Sequence, residues 1–283
     1  MPLLLLVSVI WAFSFGLIKG RLAGVDPTAV ATLRLAIALL VFLPFFRRGP
    51  LTRAVALRLA LIGAVQFGAM YLLYLRAFAH LAAFEVALFT ITTPIYLAAL
   101  DAALERRWVA GHLFAAALSV AGAGVIVWQT SVTPDRLVGV LLVQASNLCF
   151  ALGQLAWRRE RKKIPAATGD ASLFALPYLG ALAVCAAWSL VATDWPALRL
   201  APPQWATLGY LGAIASGACF FWWNLGATRV NAGTLAAFNN AKIPLAVACS
   251  LLFFGETAHV PRLLVGGALM ALAVWIAERK SVA

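Results

Sequence analysis

The chain has 283 residues, of which 64% are apolar and only 11% carry a charge at neutral pH. Soluble domains are typically about 45–50% apolar and about 25% charged, so these few charged side chains cannot coat a soluble globule of this length. The composition therefore excludes a water-soluble fold and predicts a chain that crosses a lipid bilayer several times.

Ten apolar stretches appear when the sequence is divided at charged residues and at clusters of proline and glycine. Each is close to the ~20 residues that a membrane-spanning helix needs. No basic segment precedes the first stretch, so we interpret it as a retained span rather than a signal peptide. The sequence thus predicts an all-α, polytopic membrane protein with no room for a soluble domain. The predicted spans are 3–18, 28–46, 55–78, 82–101, 108–129, 137–157, 171–192, 204–228, 232–254 and 261–277.

Basic residues are concentrated in alternate loops, and such residues favour the cytoplasmic side of a membrane. We therefore expect both termini in the cytoplasm. Topology and contact with anionic lipid headgroups explain the net charge of +12. No basic helix with interleaved aromatics lies outside the spans, so we expect no nucleic acid partner. The bases assigned to the cytoplasm are Arg47, Arg48, Arg53, Arg58, Arg106, Arg107, Arg158, Arg159, Arg161, Lys162, Lys163, Arg229, Arg279 and Lys280.

Two segments, 68–94 and 218–244, match each other at an offset of 150 residues. Each contains an aromatic-rich span, a short polar link and a span interrupted by a proline, Pro94 or Pro244. This internal similarity predicts that the chain consists of two related halves.

The predicted halves are residues 1–133 and 134–283, with five spans each. Because five is an odd number, the second half crosses the membrane upside down relative to the first. Inverted repeats are typical of alternating-access transporters, which bind their substrate between the halves near the middle of the bilayer.

Several short motifs follow one another along nearly the whole chain: Trp11 with Lys19, Leu33-Arg34, Pro94 with Leu104-Glu105-Arg106, Trp223-Asn224, and Pro244 with Phe254-Gly255-Glu256. In this order and spacing they resemble the drug/metabolite transporter superfamily and its EamA family. The resemblance implies a basket of ten helices around a central cavity, in the inner membrane, that exports small metabolites. Within the family the sequence looks most like exporters of aromatic amino acids. The alternative is an exporter of another metabolite or drug, such as other amino acids or cationic aromatic compounds, with or without proton coupling.

Polar and aromatic side chains follow one face of the first, third, fourth, sixth, eighth and ninth spans. Polar groups inside a membrane are costly and usually functional, so we expect these six spans to line the cavity and the second and tenth to lie outside it. A single aromatic stripe is more often packing or an interfacial belt. The predicted substrate-binding residues are Trp11, Gln66, Tyr71, Tyr74, Thr90, Thr93, Asn147, Phe150, Trp223, Asn239, Asn240 and Lys242.

Two basic residues fall within spans. Lys242 lies in the middle of the ninth span beside Pro244, and we predict that it faces the cavity and attracts a substrate carboxylate. The alternatives are a structural cation that binds backbone carbonyls freed by the proline, or a neutral amine. Arg34 lies within about two turns of the outer end of its span, so we interpret it as a structural residue that extends toward the membrane surface.

The sequence contains no sign of catalysis or of a cofactor. The four cysteines form no C-x-x-C pair, so we expect neither disulfides nor a bound metal. The common motifs of hydrolases, metalloproteases and nucleotide-binding proteins are missing, so we expect no enzymatic activity. No acidic residue or histidine lies in the middle of a span, which predicts facilitative transport. Small residues spaced by four in the fifth and tenth spans predict close helix packing, within a monomer or a homodimer.

Overall fold

The computed structural model describes residues 2–47, 51–104, 133–229 and 232–281, with a few isolated positions between 114 and 125. Within these ranges the chain forms nine long helices and no strand. Helices α5 to α9 correspond to the sixth to tenth predicted spans. The helices are α1 (Pro2–Arg21), α2 (Pro27–Phe42), α3 (Arg53–Ala77), α4 (Ala83–Leu104), α5 (Pro134–Arg161), α6 (Asp170–Ala192), α7 (Pro202–Ala227), α8 (Ala232–Phe253) and α9 (Val260–Ser281).

Seven of the described helices, α1 to α7, are long and apolar enough to cross a membrane. Large apolar side chains such as Leu190, Val191 and Leu252 point outward, as expected of a surface that contacts lipid. The fold is therefore a polytopic helical membrane protein, as predicted. The predicted span 108–129 lies almost entirely outside the described residues, so the count of ten spans stays a prediction, as does the cytoplasmic placement of the termini.

Local sequence signals set the beginnings of several helices. The Asp26 carboxylate accepts a hydrogen bond from the Ala29 amide at 2.6 Å, and Pro27 occupies the first turn of α2. Thr52 caps α3 in the same way. Helices α5 and α7 likewise begin at prolines, which need no backbone partner at that position.

Three membrane helices change their winding near their middle. Helix α3 contains a π-helical segment, Ala64–Ala69, and α7 contains another, Leu211–Ala218. Helix α4 passes through a 3₁₀ turn, Thr90–Thr92, just before Pro94. Such segments leave backbone groups outside the regular hydrogen-bond pattern and are common at functional sites.

Helix packing surrounds a central space. Helix α1 packs on α8 and α7, α2 packs on α6 and the π-helical segment of α7, and α4 packs on α8 and α5. Helices α3 and α6 cross with their backbones almost touching. A Cβ atom at Gly63 would lie 1.9 Å from the Pro177 carbonyl oxygen, and one at Gly180 would lie 1.9 Å from that of Ala60. Only glycine fits this crossing.

Candidate substrate cavity

A cavity of about 80 Å³ lies between the helices. Its wall combines aromatic rings, hydroxyl and amide groups and two basic side chains, and none of the residues that line it is acidic. Helices α6 and α9 contribute nothing to this lining, in agreement with the nearly unbroken apolar sequence of α9. The lining residues are Trp11, Ser14, Phe15, Arg34, Met70, Tyr71, Tyr74, Thr90, Thr93, Ser146, Asn147, Phe150, Phe220 and Lys242.

The aromatic part of the wall forms one connected cluster. The Trp11 ring lies 5.3 Å from Phe220 and 6.4 Å from Phe150, both in edge-to-face geometry. One turn further along the same face of α1, Phe15 packs against Tyr74 at 6.0 Å. The Trp11 indole nitrogen donates to the Ala215 carbonyl at 2.8 Å, which fixes the ring against the π-helical segment of α7. These rings present a rigid apolar surface to a bound molecule.

Lys242 lines the cavity from α8 and is 7% exposed. Its ammonium nitrogen donates to Asn239 Oδ1 at 3.0 Å and lies 5.1 Å from the centre of the Trp11 ring. An amide oxygen and an aromatic face both stabilise a cation without neutralising its charge. Lys242 thus brings a basic group to the cavity, and its role in substrate binding stays a prediction.

Arg34 is where the structure corrects the sequence analysis. The side chain is only 2% exposed and lines the cavity, so the interpretation of a residue that extends to the membrane surface was wrong. The expectation that the second span avoids the cavity was also wrong. Because α2 packs between α6 and the π-helical segment of α7, the guanidinium is enclosed. It donates from Nη2 to the Tyr71 hydroxyl at 2.7 Å and from Nε to Ser216 Oγ at 3.2 Å.

Hydrogen bonds between α4 and α5 organise the polar part of the wall. Asn147 donates to the Phe89 carbonyl at 2.9 Å and to Thr92 Oγ1 at 3.0 Å. The hydroxyls of Thr90 and Thr93 donate to carbonyls one turn earlier in α4. Their lone pairs therefore remain available as acceptors, while their protons are already used.

Eight of the twelve predicted binding residues line the cavity: Trp11, Tyr71, Tyr74, Thr90, Thr93, Asn147, Phe150 and Lys242. The other four lie outside the lining. Gln66 donates to Asn224, Trp223 packs 5.1 Å behind Trp11, and Asn239 holds the Lys242 ammonium. Asn240 is half-buried next to Asn239.

Six lining residues are absent from the predicted binding set: Ser14, Phe15, Arg34, Met70, Ser146 and Phe220. Ser14, Phe15 and Phe220 lie on the polar and aromatic faces predicted for the first and eighth spans. Arg34 was placed outside the cavity on the basis of its depth alone. Ser146 is adjacent to the predicted Asn147, so a wider polar face on α5 would have included it. Met70 carries no signal in the sequence, because an apolar side chain in an apolar helix is unremarkable by type.

Among the residues that the structure describes, no cluster of side chains could hold a metal ion. No group of three histidine, cysteine or acidic side chains comes together there. Cys149, Cys185, Cys219 and Cys249 are free thiols within helices.

Membrane helices surround a cavity whose wall is partly aromatic and partly polar, and this arrangement is typical of membrane transporters. The EamA-like transporter family model matches residues 1–128 and 137–278. The chain belongs to this family and is a multi-pass protein of the cell membrane.

Curated relatives match over almost the full length of the chain. It is 41% identical to the biotin transporter of Salmonella typhimurium (strain LT2), over 100% of this chain and 94% of that protein. It is 40% identical to the biotin transporter of Escherichia coli (strain K12), with the same coverage. The probable biotin transporter of Pseudomonas aeruginosa is 40% identical over 98% of this chain and 96% of its own length.

A solved crystal structure has the same fold. It superposes with a TM-score of 0.68 at 17% sequence identity, covering 99% of this chain and 96% of that one. The relatives support transport of a small metabolite and give no support to the aromatic amino acids predicted as cargo, so they favour the alternative of another metabolite.

Proposed function

We propose that this protein transports biotin or a closely related small monocarboxylate through the central cavity. The observation that carries the proposal is the cavity wall, in which two buried basic side chains, Arg34 and Lys242, accompany aromatic rings with no acidic residue in the lining. Biotin combines a carboxylate, an apolar chain and a fused ring system with a ureido group. A cationic and aromatic wall complements each of these parts. The names of the full-length relatives support the same substrate.

The charge of the wall favours an anion over a zwitterion. An aromatic amino acid carries an ammonium beside its carboxylate, and the Arg34 guanidinium, which is always charged, repels that ammonium in a site of low dielectric constant. Ring faces offset only part of this repulsion. A molecule with a carboxylate and no amine meets no such penalty, so the same cavity binds biotin more favourably than tryptophan or phenylalanine.

Alternating access between two halves is part of this proposal. The cavity receives side chains from α1 to α4 and from α5, α7 and α8, which belong to residues 1–133 and 134–283 respectively. The π-helical segments support the internal repeat, because Gln66 in one and Ser216 in the other are separated by the same 150 residues as the repeated sequence. Rocking of one half against the other would open the cavity to each side in turn.

Uptake of radiolabelled biotin into proteoliposomes tests the proposed function. We expect saturable uptake that excess unlabelled biotin blocks and that tryptophan, phenylalanine and alanine leave largely intact. Lys242→Ala should greatly reduce this uptake, whereas Lys162→Ala, at an exposed position just beyond α5, should not. Transport of tryptophan or phenylalanine without transport of biotin would contradict the proposal and favour the aromatic amino acid prediction.

A further inference from the structure

Arg34 is a buried cation without a counter-ion among the described residues. Its hydrogen-bond partners, Tyr71 and Ser216, are both neutral. The described carboxylates that form ion pairs do so with other bases: Glu85 with Arg136, Asp101 with Arg159, Glu160 with Arg58 and Lys163, Asp135 with His80, and Asp170 with Arg161. Burial of a guanidinium is costly unless an anion compensates it, so this arrangement leaves a place for a negative charge.

The guanidinium also retains unused donors. Nη1 is buried and has no hydrogen-bond partner, although Arg34 lines the cavity. An arginine has five N–H groups, and only one on Nε and one on Nη2 are used here. Nη1 and Nη2 form the edge of the guanidinium that binds both oxygens of a carboxylate at once.

Tyr71 and Ser216 hold the guanidinium in a defined orientation. Ser216 Oγ donates to the Leu211 carbonyl at 2.7 Å, a bond that exists because α7 is π-helical there. Its two lone pairs then accept from Arg34 Nε and from the Tyr71 hydroxyl, which lies 2.9 Å away. The Tyr71 hydroxyl in turn accepts from Nη2, and the guanidinium carbon lies 4.4 Å from the centre of the Tyr71 ring. Three N–H groups of the guanidinium remain unused, and two of them, one on Nη1 and one on Nη2, form the free edge.

Resting on the proposed function, we propose that Arg34 binds the substrate carboxylate through this free edge, with Tyr71 and Ser216 as positioning residues. Lys242 has a different task. Its ammonium is already bound to Asn239, and α8 packs on α1 and α4 whereas α2 packs on α6 and α7. The two cations thus enter from different walls, and Lys242 donates to a neutral acceptor such as the ureido oxygen. The substrate carboxylate thus compensates the charge of Arg34, and the polar head group gives Lys242 a hydrogen-bond acceptor.

Comparison of an acid with its ester separates the two roles. Calorimetric titration of the purified, detergent-solubilised protein would measure the Kd of biotin and of biotin methyl ester, which differ only in the carboxylate. We expect the wild type to bind the acid about 10- to 100-fold more tightly than the ester, the range of a charge-assisted bidentate interaction. Arg34→Gln should bind both ligands equally, with the affinity for the ester within about twofold of the wild type. Lys242→Gln should raise the Kd of both ligands by the same factor, so the preference for the acid over the ester should remain.

Graded variants guard against loss of folding. Arg34→Lys keeps the charge and loses the planar edge, so the preference for biotin over its methyl ester should fall severalfold. Tyr71→Phe and Ser216→Ala keep Arg34 and remove one of its supports, which should also lower the preference. Arg47→Gln, an exposed arginine after α2, is the matched control and should behave as the wild type. Size-exclusion chromatography identifies the monodisperse variants. Only these variants are used to judge the role of Arg34.

Each outcome has a distinct meaning. An unchanged preference for the acid in the monodisperse Arg34, Tyr71 and Ser216 variants overturns the assignment and leaves biotin transport standing. Loss of the preference in Lys242→Gln instead makes the lysine the carboxylate-binding residue and also overturns it. A wild-type protein that binds neither biotin nor its ester overturns the proposed function together with this inference.

Discussion

Gln66 Nε2 donates a 3.1 Å hydrogen bond to Asn224 Oδ1, and this bond joins two fully buried side chains of α3 and α7. Both residues are polar, lie in the middle of membrane helices and belong to different predicted halves. Asn224 also donates to the Phe220 carbonyl one turn earlier. Polar pairs of this kind hold membrane helices together. Gln66 therefore has a packing role that its sequence alone did not distinguish from substrate binding.

Substitution of this pair should change stability rather than selectivity. We expect Gln66→Ala and Asn224→Ala each to lower the melting temperature, with a coupling free energy of about 0.6–1.7 kcal/mol in a double-mutant cycle. The ratio of the affinities for biotin and its methyl ester should stay at the wild-type value. A change in that ratio without a loss of stability would indicate that Gln66 binds substrate and does not serve packing.

Glu256 links the turn after α8 to the beginning of α4. Its carboxylate accepts hydrogen bonds from the amides of Ala83 at 2.7 Å and Phe84 at 3.0 Å. These amides belong to the first turn of α4, where a negative charge is favourable. Glu256→Ala should cost about 1–2 kcal/mol of stability, because it leaves both amides without this partner.

Thermal unfolding in detergent would measure the effect of Glu256. Glu256→Gln should lose less than the alanine variant, since one amide oxygen can still accept. Asp194→Ala removes an exposed aspartate that bonds only its own loop and is the control. Equal melting temperatures for Glu256→Ala and the wild type would show that this contact does not stabilise the fold.

The crossing of α3 and α6 should be intolerant of any side chain. Gly180→Ala would place a methyl group against the Ala60 carbonyl, so the helices must separate, at a cost of at least about 1–3 kcal/mol. Gly209→Ala on α7 is the matched control, because its Cβ meets nothing within 4 Å. The yield of monodisperse protein and its melting temperature should fall for Gly180→Ala alone. Similar values for both variants would contradict the close approach.

Transport should not be driven by protons. None of the residues that line the cavity is an aspartate, a glutamate or a histidine, so the lining contains no group of the kind that usually carries a proton through a transporter. Uptake of biotin should stop at equal concentrations on both sides, with or without an imposed pH gradient. Liposomes without protein correct for passive entry of the protonated acid. Accumulation above the external concentration that a protonophore abolishes would show proton coupling.

Much of the architecture follows from local sequence. The spans are long apolar segments, and in a bilayer such a segment satisfies its backbone groups only as a helix. Their positions and ends therefore come from composition together with proline, aspartate and threonine signals such as Asp26 and Thr52. The polar faces followed from helical periodicity in the same way. Residues as distant in the chain as Trp11, Tyr71 and Lys242 belong to the predicted faces and line one cavity.

The sequence by itself determined that this is a helical membrane protein with a polar and aromatic interior, because hydropathy and periodicity are properties of single helices. Only the tertiary structure decided which polar residues reach the cavity and which hold the helices together. Arg34 lines the cavity and Gln66 lies outside its lining, because the neighbouring helix decides where each buried side chain finds a partner. Asn224 lies where Gln66 can bond it, whereas α6 and the π-helical segment of α7 enclose Arg34 beside Tyr71 and Ser216. A guanidinium that is fixed in this way has no path to the membrane surface.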